Sequence, residues 1–547
     1  MSLMQDTLLF APTLQLLHAT LSTTDGYHSM PLDYASYQVD RHQIEEAITT
    51  LEKGRALLWS EMHHLRVPTD QVLQADQQLG QRLAAVNREL DELTKSILPG
   101  FKLNTDDHVA DDLRAVDPFG RLLVKQRQLW KERGDLISQI QALPGFHNFL
   151  KSPSFDTLRS AASSGPVIII NHSKWRSDIL ILLHNTPPSL ISTADDFFGR
   201  ASALKDGLLD ARNEHGPDSD QYNQTLAHVL TELYDLVGKA VIDRLHQLDV
   251  SEQSRVWWCP TSVFCSLPLH AMGPIPSDDG GERYFLDIYV SSYTPTLSAL
   301  IPPGSDRSEL GSSTAELPSL LLVAHFDVPP PDVPLSDMPS PDVTSPDVPS
   351  PDVLSPDVSL SDVCKDVKVV QALKKRLTVN SLISEGATTQ SVLDCLQCHQ
   401  FVHFVCHGTL EAKKPFEAGF ELYGNERLTL LEIVRSHLPA AEFAFLSACH
   451  TAELTEGSAE DEGLHLAAAV QYCGFRSVVG TMWAMANEDG PDVAKYFYQS
   501  MFPKRDQGGP VPYYKRSAGA LRDAVKKLRK KRGVTLERWV NFVHYGE

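Results

Sequence analysis

The sequence has no apolar run long enough to cross a bilayer. Its longest apolar runs are VIIIN at 167–171 and SLLLVAHF at 319–326, far short of the roughly 20 residues that a transmembrane helix needs. No signal peptide is evident, and the eight cysteines lie mostly inside apolar, strand-like segments. We therefore expect a soluble, intracellular protein of the cytoplasm, without a disulfide framework and without a membrane partner.

Positive charge and phosphate-binding glycines are also scarce. The formal net charge of −21 argues against a protein that wraps nucleic acid. The two Gly-Gly pairs, Gly280-Gly281 and Gly508-Gly509, are not followed by the lysine of a phosphate-binding loop. The basic segment KKLRKKR at 526–532 is expected to be the solvated end of a helix. The sequence thus predicts no nucleic-acid partner, no cofactor and no metal.

Three regions follow one another along the chain. Residues 1–150 have helical periodicity with Pro-Gly stops, which predicts a bundle or the remnant of a helical-repeat array. From Gly165 onward, short apolar β-rich segments alternate with amphipathic helices, which predicts a doubly wound, largely parallel α/β sheet. A second α/β pass begins with the apolar segment at 317–327.

An acidic repeat interrupts the second α/β pass. Asp recurs every five residues from Asp327 to Asp362, mostly as Ser-Pro-Asp-Val. Proline fixes φ and lacks a backbone donor, so neither a helix nor a strand ladder is expected here. This composition predicts a disordered, solvent-exposed insertion at 328–362.

Two apolar segments of the second α/β pass each stop at a residue with acid–base or nucleophilic chemistry. FVHFV (401–405) is followed by Cys406-His407-Gly408, and FAFLS (443–447) by Ala448-Cys449. A histidine and a cysteine at the ends of two strands are the minimum for a thiolate–imidazole pair. The Gly408 and Cys449 amides would stabilise the oxyanion. On spacing alone, two buried structural polar residues remain the alternative.

These motifs resemble those of CHAT domain proteins, a branch of the caspase-like clan CD cysteine peptidases that also includes separase. Caspases have a His-Gly about 50 residues before an Ala-Cys, and here His407 and Cys449 are 42 residues apart. Further segments resemble CHAT proteins of the fungal, tetratricopeptide-linked type, namely RALLWSE (55–61), RVWWCPTSVFCSLPLHAMG (255–273), VSSYTPTLSALI (290–301), DEGLHLAAAVQYCGFRSVVGTMWAM (461–485) and WVNFVHYG (539–546). The resemblance implies a caspase-like fold in two tandem halves, an inactive half at 165–310 and an active half at 315–547.

The resemblance also implies a function. It implies a cysteine endopeptidase in which Cys449 attacks the scissile carbonyl of a protein or peptide substrate and His407 protonates the leaving amine. We expect a latent enzyme that a protein partner regulates, with the N-terminal helices as its docking region. A non-catalytic CHAT interaction or signalling module is the alternative.

A substrate pocket is implied around the GT-x-W motif that contains Trp483. Related proteins carry an acidic residue a few positions later, where it helps to hold a basic P1 side chain. Asn487 stands at that position here, with Asp489 close by, and Asp461-Glu462 form a second acidic pair. A basic P1 preference is the expectation, and Asn487 is a departure from the pattern on which it depends.

Other constellations are less favoured. Cys395-Leu396-Gln397-Cys398-His399 matches the pattern of covalent haem attachment, but that chemistry belongs to exported proteins. A zinc site that adds His403 and Cys406 is disfavoured because these two residues would lie on opposite faces of one strand. His270 lies in a proline-bounded turn and is expected to be structural, although a dyad with Cys259 or Cys265 is the second choice.

Overall fold

The computed structural model describes residues 29–55, 70–94, 118–147, 149–150, 153–217, 219–276, 281–301, 318–325, 360–409, 417–436, 438, 440–447, 466–503 and 512–547. Within these ranges, no helix combines the length and the apolar character that a bilayer span requires.

The N-terminal region is helical, as predicted, and its helices contribute to two different cores. The helices are α1 (Ser29–Asp40), α2 (Ile44–Gly54), α3 (Asp70–Ala75), α4 (Gln77–Thr94), α5 (Pro118–Gln141) and α6 (Phe155–Arg159). Apolar side chains of α1 and α2, such as Leu32 and Ile48, pack in one cluster with Val167 and Trp257 of the sheet. Side chains of α3, α4 and α5 form a separate cluster. Helices α1 and α2, and α6 through Leu158, therefore belong to the core of the α/β part, whereas α3, α4 and α5 do not.

A single 11-stranded sheet runs through the α/β part. Its strands are β1 (Val167–Asn171), β2 (Asp178–Leu182), β3 (Ser189–Ser192), β4 (Arg255–Pro260), β5 (Val290–Tyr293), β6 (Ser319–Ala324), β7 (Thr378–Ile383), β8 (Phe401–Val405), β12 (Phe443–Ser447), β13 (Ser477–Thr481) and β14 (Phe542–Gly546). The order is β3-β2-β1-β4-β5-β14-β13-β12-β8-β6-β7. Neighbours pair in parallel except at β1–β2, β2–β3 and β13–β14. The prediction of a largely parallel α/β sheet preceded by helices is confirmed.

A small second sheet and further helices complete the α/β part. The small sheet consists of β9 (Gly408–Thr409), β10 (Gly419–Glu421) and β11 (Arg427–Thr429). The helices are α7 (Phe197–His215), α8 (Asp220–Leu233), α9 (Lys239–Gln247), α10 (Phe285–Ile288), α11 (Leu360–Gln371), α12 (Thr389–Leu396), α13 (Leu430–Arg435), α14 (Leu466–Tyr472), α15 (Asp489–Met501), α16 (Ser517–Arg529) and α17 (Leu536–Val540).

The predicted insertion ends earlier than expected. Helix α11 begins at Leu360, so residues 360–362 are helical and the prediction of disorder to 362 is wrong at its end. The last repeat has Ser361 where most others have proline, and the backbone N–H that proline lacks can then join a helix. Residues 328–359 of the predicted insertion lie outside the described residues.

The last strand, β14, joins the two halves of the sheet. It pairs antiparallel with β13 and parallel with β5, where Tyr545 is opposite Tyr293. His270 supports this seam, because its Nε2 is 2.8 Å from the Val540 carbonyl and its Nδ1 is 2.9 Å from the Tyr293 hydroxyl. Both ring nitrogens are thus engaged. The structural role predicted for His270 is confirmed, and the alternative dyad with Cys259 or Cys265 does not form.

Because this histidine is held neutral at the seam, we expect the protein to lose stability in mild acid. Burial lowers the pKa of His270 to about 4, below the ordinary value of roughly 6.5 in an unfolded chain. The stabilisation is complete above pH 6.5 and is lost as the pH falls through 4. Between pH 7.5 and 5, His270 alone should remove about 2 kcal/mol from the free energy of unfolding.

Urea unfolding at several pH values measures this loss. Burial also lowers the pKa of His544, in the same seam, well below 6.5, so the total loss should exceed that from His270. A His270→Gln variant should show a shallower dependence on pH. An equal pH dependence in the variant and the parent would contradict the assignment.

Candidate active site

The sheet brings the ends of β8 and β12 together at one edge. These strands are parallel neighbours, and Val405, the last residue of β8, is paired with Ser447, the last residue of β12. His407 follows two residues after Val405 and is partly exposed. Cys449 follows two residues after Ser447 in the chain and lies outside the described residues. The two strands that carry the predicted dyad are therefore adjacent and in register.

Gly408 lies at the start of the small sheet beside this edge. The Glu421 amide donates to the His407 carbonyl at 2.9 Å, and Gly408 is paired with Phe420. In an antiparallel ladder, this pattern makes Gly408 and Phe420 a non-hydrogen-bonded pair. The Gly408 amide consequently faces away from β10, as an oxyanion donor must if it is to reach a substrate.

A buried polar network lies beneath the edge. Ser447 Oγ donates to Asp366 Oδ2 at 2.7 Å, and the other oxygen of Asp366 is 3.7 Å from His403 Nε2. His403 Nδ1 is 2.8 Å from the Tyr498 hydroxyl. All four side chains are buried. His403 is fully buried, and Asp366 and Tyr498 are each only 2% exposed. The network connects β8, β12, α11 and α15. Its member on β12, Ser447, is two positions before Cys449 in the chain.

The phenol of Tyr498 orients the His403 imidazole. Burial raises the pKa of Tyr498 well above 10, so the hydroxyl keeps its proton and can donate it to His403 Nδ1. The Nε2–H then points toward Asp366. Gly490 packs against the same group, since a Cβ at this position would be 3.1 Å from Ser447 Oγ and 3.3 Å from Asp366 Oδ2. The last residue of β12 is thus fixed from both sides.

Replacing Asp366 by Ala should destabilise the protein moderately. The buried Ser447 hydroxyl would lose its acceptor, which costs about 1–3 kcal/mol in the free energy of unfolding. Chemical denaturation measures this loss, and Lys368→Ala, an exposed change on the same helix, is the matched control. Equal stability of the two variants would show that the network contributes nothing.

Of the predicted pocket residues, Asp461 and Glu462 lie outside the described residues, and the structure describes the other three. Trp483 is only 5% exposed, and its backbone N–H donates to Asn541 Oδ1 at 2.9 Å. The guanidinium of Arg212, from the first half, lies 5.6 Å from the centre of the Trp483 ring. A cation of the protein itself therefore lies against the Trp483 ring.

Asp489 is not available to a substrate. Its carboxylate is fully buried and accepts from Arg538 twice, at 2.7 Å from Nε and 2.5 Å from Nη2. Glu488 pairs with the same guanidinium. Burial raises the pKa of Asp489, and the hydrogen bond from Arg538 opposes this rise. Asn487 lies just before these two acids, in the segment that leads into α15.

The Cys395–His399 segment has a structural explanation. His399 Nδ1 is 2.6 Å from the Cys395 carbonyl, and its Nε2 is 2.8 Å from Asn380 Nδ2. Both ring nitrogens therefore have protein partners. In the part of the chain that the structure describes, no three His, Cys, Asp or Glu side chains are grouped so as to hold a metal ion.

Sequence analysis missed the supporting residues Asp366, Tyr498 and Arg538. Asp366 and Ser447 are 81 positions apart in the chain, and no local spacing could relate them. A partial signal existed at Ser447, a small polar residue that ends an otherwise apolar segment. It indicated a strand end but not the buried carboxylate that this serine contacts.

The family model of the CHAT domain matches residues 227–547. No curated protein sequence matches the chain.

The solved structures that are similar to the chain include two groups. One is the Arg-specific cysteine proteinase gingipain R (RgpB) of Porphyromonas gingivalis, at 13% identity over 64% of this chain and 75% of that chain, with a TM-score of 0.34. The other comprises two Saccharomyces cerevisiae separase–securin complexes. The first has 12% identity over 85% of this chain and 37% of that chain, with a TM-score of 0.43. The second has 11% identity over 100% of this chain and 46% of that chain, with a TM-score of 0.45. The chain thus spans less than half of the separase chains.

Proposed function

Because the chain belongs to the CHAT domain family, we propose that it is a cysteine endopeptidase with His407 and Cys449 as its dyad. The observation that carries this proposal is the register of β8 and β12. Val405 and Ser447 are paired at the ends of these strands, and the two reactive residues each follow two positions later. Parallel strands that end side by side deliver the residues after them to the same edge of the sheet.

The chemistry assigns a role to each group. The Cys449 thiolate attacks the scissile carbonyl, and His407 first takes the thiol proton and then gives it to the leaving amine. The amides of Gly408 and Cys449 stabilise the oxyanion. Water then hydrolyses the thioester and releases the second product. The orientation of the Gly408 amide away from β10 supports its part in this scheme.

Of the predicted pocket residues, only two could provide a free negative charge for a basic P1 side chain. Asp489 is neutralised by Arg538, and Asn487 carries no charge. A basic P1 group would therefore depend on Asp461 or Glu462. A peptide library that reveals no preference for Arg or Lys at P1 would contradict this part of the proposal.

Helix α1 exposes three large apolar side chains. Met30, Tyr34 and Tyr37 are 41%, 49% and 52% exposed, which is unusual for large apolar side chains. We propose that a regulatory protein docks here and holds the enzyme latent. In cell extract, Cys449 should react more slowly with an electrophile than in the purified protein, and a Tyr34→Ser, Tyr37→Ser double variant should remove the difference. Equal rates in both settings would argue against this form of latency.

Labelling with a peptide that carries a thiol-reactive group tests the dyad. At pH 7, Cys449 should react at least about 100-fold faster than in a His407→Ala variant, because the imidazole generates the thiolate. Cys406→Ser is the matched control, since Cys406 is the neighbour of His407 and is partly exposed. Slow, uniform labelling of all cysteines would instead favour the non-catalytic interaction module.

A further inference from the structure

The first half of the sheet contains an arrangement that parallels the predicted dyad. β1 and β4 are adjacent parallel strands, and Ile170 is paired with Pro260 near their ends. His172 and Ser262 lie two positions beyond this pair, the same offset that separates His407 and Cys449 from their own register pair. In both halves the strand before the histidine is farther from β14 than the strand before the other residue.

His172 and Ser262 are in contact. His172 Nδ1 is 3.1 Å from Ser262 Oγ, and Nε2 is 3.1 Å from the Phe198 carbonyl. A carbonyl only accepts, so Nε2 carries the proton and donates it. The Nδ1 lone pair then faces the serine and accepts its hydroxyl hydrogen. This is the tautomer that a general base requires.

The imidazole is fixed by its surroundings. Its ring stacks on Phe198 at a centroid distance of 4.3 Å and meets Phe264 edge-on at 5.5 Å. The backbone N–H of His172 donates to Thr261 Oγ1 at 2.9 Å, and the Thr261 hydroxyl donates to the Ile170 carbonyl at 2.8 Å. Burial lowers the pKa of His172 below 6.5, so the ring is neutral at pH 7.

Ser262 has a strained backbone at the turn where β4 ends. Its φ is 51°, a left-handed conformation that is uncommon outside glycine and asparagine. It also opens a short 3-10 helix, Ser262–Cys265. A serine on a strained strand-to-helix turn is how α/β hydrolases hold their nucleophile in the open. Ser262 is partly exposed, whereas the histidine is buried.

An open cavity of about 810 Å³ lies next to Phe198, on which the imidazole stacks, and neither His172 nor Ser262 is among its lining residues. Ser173 and Phe198, which adjoin or stack on His172, line it together with Asp33, Asp195 and Trp175. Trp175 is 75% exposed. Lys174 and Arg176 also line the cavity, and Lys174 Nζ lies 5.3 Å from the centre of the Trp175 ring, so a ligand that enters it meets charges of both signs.

We propose that His172 and Ser262 form a second, serine-type acyl-transfer site that hydrolyses carboxylic esters. Ser262 Oγ bonds to the carbonyl carbon while its proton moves to His172 Nδ1. The carbon–oxygen bond to the leaving alcohol then breaks, and the alcohol takes that proton. Water hydrolyses the acyl-serine, with Nδ1 accepting a water proton and returning it to Ser262, and the carboxylic acid is released. This site does not depend on Cys449.

A fluorophosphonate probe tests the proposal on the full chain. The experiment uses Cys449→Ala protein, so the outcome is separate from that of the cysteine dyad. We expect a covalent adduct on Ser262, identified by peptide mass. It should be absent in Ser262→Ala, slowed at least about 100-fold in His172→Gln, and unchanged in Ser266→Ala, four residues further along. The absence of an adduct in folded protein, or an unchanged rate in His172→Gln, overturns the proposal.

A second variant covers the case in which His172→Gln does not fold. Ser262→Cys, made in the same Cys449→Ala background, keeps the imidazole and should react with iodoacetamide at least about 10-fold faster than Ser266→Cys, because a neighbouring base increases the thiolate fraction. Equal rates at the two positions would mean that His172 does not activate its neighbour. A 4-nitrophenyl ester series then ranks the acyl groups that the site accepts.

Discussion

Replacing Cys449 by Ala is expected to reduce kcat/KM for a cleavable peptide by about 10⁴-fold, and His407→Ala by a similar factor. Neither residue can act without the other, because the imidazole makes the thiolate and later protonates the leaving amine. The double variant should therefore be no slower than either single variant. This non-additivity distinguishes a dyad from two independent contributors.

Peptide hydrolysis by the purified full chain is the measurement. Cys406→Ser should retain activity within about 2-fold, since substitutions away from the reacting atoms have small effects. A Cys449→Ala protein that still cleaves its substrate would sink the assignment. Multiplicative effects of the two substitutions would leave each residue important but would reject the concerted pair.

The strand ends that precede His407 and Cys449 could be predicted because the sequence pattern that marks them is local. Apolar segments that stop at His407 and at Cys449 identify strand ends without knowledge of the fold. The register that makes the two strands neighbours could not be obtained this way, because pairing depends on contacts between distant parts of the chain. The structure supplies it through Val405 and Ser447.

Prediction was weakest where a residue depends on a distant partner. The segment WVNFVHYG carries a family resemblance in the sequence, but its position between β5 and β13 depends on contacts with both halves of the sheet. The sequence indicates His270 as the base of a second-choice dyad. It does not single out His172, although this histidine directly follows an apolar strand. Serine is too common in loops for Ser262 to stand out. Its positive φ is visible only in three dimensions.

The largest stability effect is expected from Arg538→Ala. The Asp489 side chain is 1% exposed and that of Arg538 is 14% exposed, so removing the guanidinium leaves an uncompensated carboxylate in the core. Breaking a buried pair in this way costs about 3–5 kcal/mol in the free energy of unfolding. Denaturant unfolding followed by tryptophan fluorescence should show this loss in the transition of the α/β part.

Two further variants separate charge from packing. Arg532→Ala removes an exposed guanidinium nearby in the chain and should change stability by less than about 0.5 kcal/mol. Asp489→Asn added to Arg538→Ala should recover part of the loss, since a neutral amide needs no counter-ion. Asp489 begins α15, and that helix carries Tyr498 to His403 beneath the edge of the sheet. Loss of the ion pair should therefore lower peptidase activity together with stability, and the Asp489→Asn addition should restore both. Recovery of stability without activity would mean that the Arg538 guanidinium has a role in catalysis beyond its pairing with Asp489.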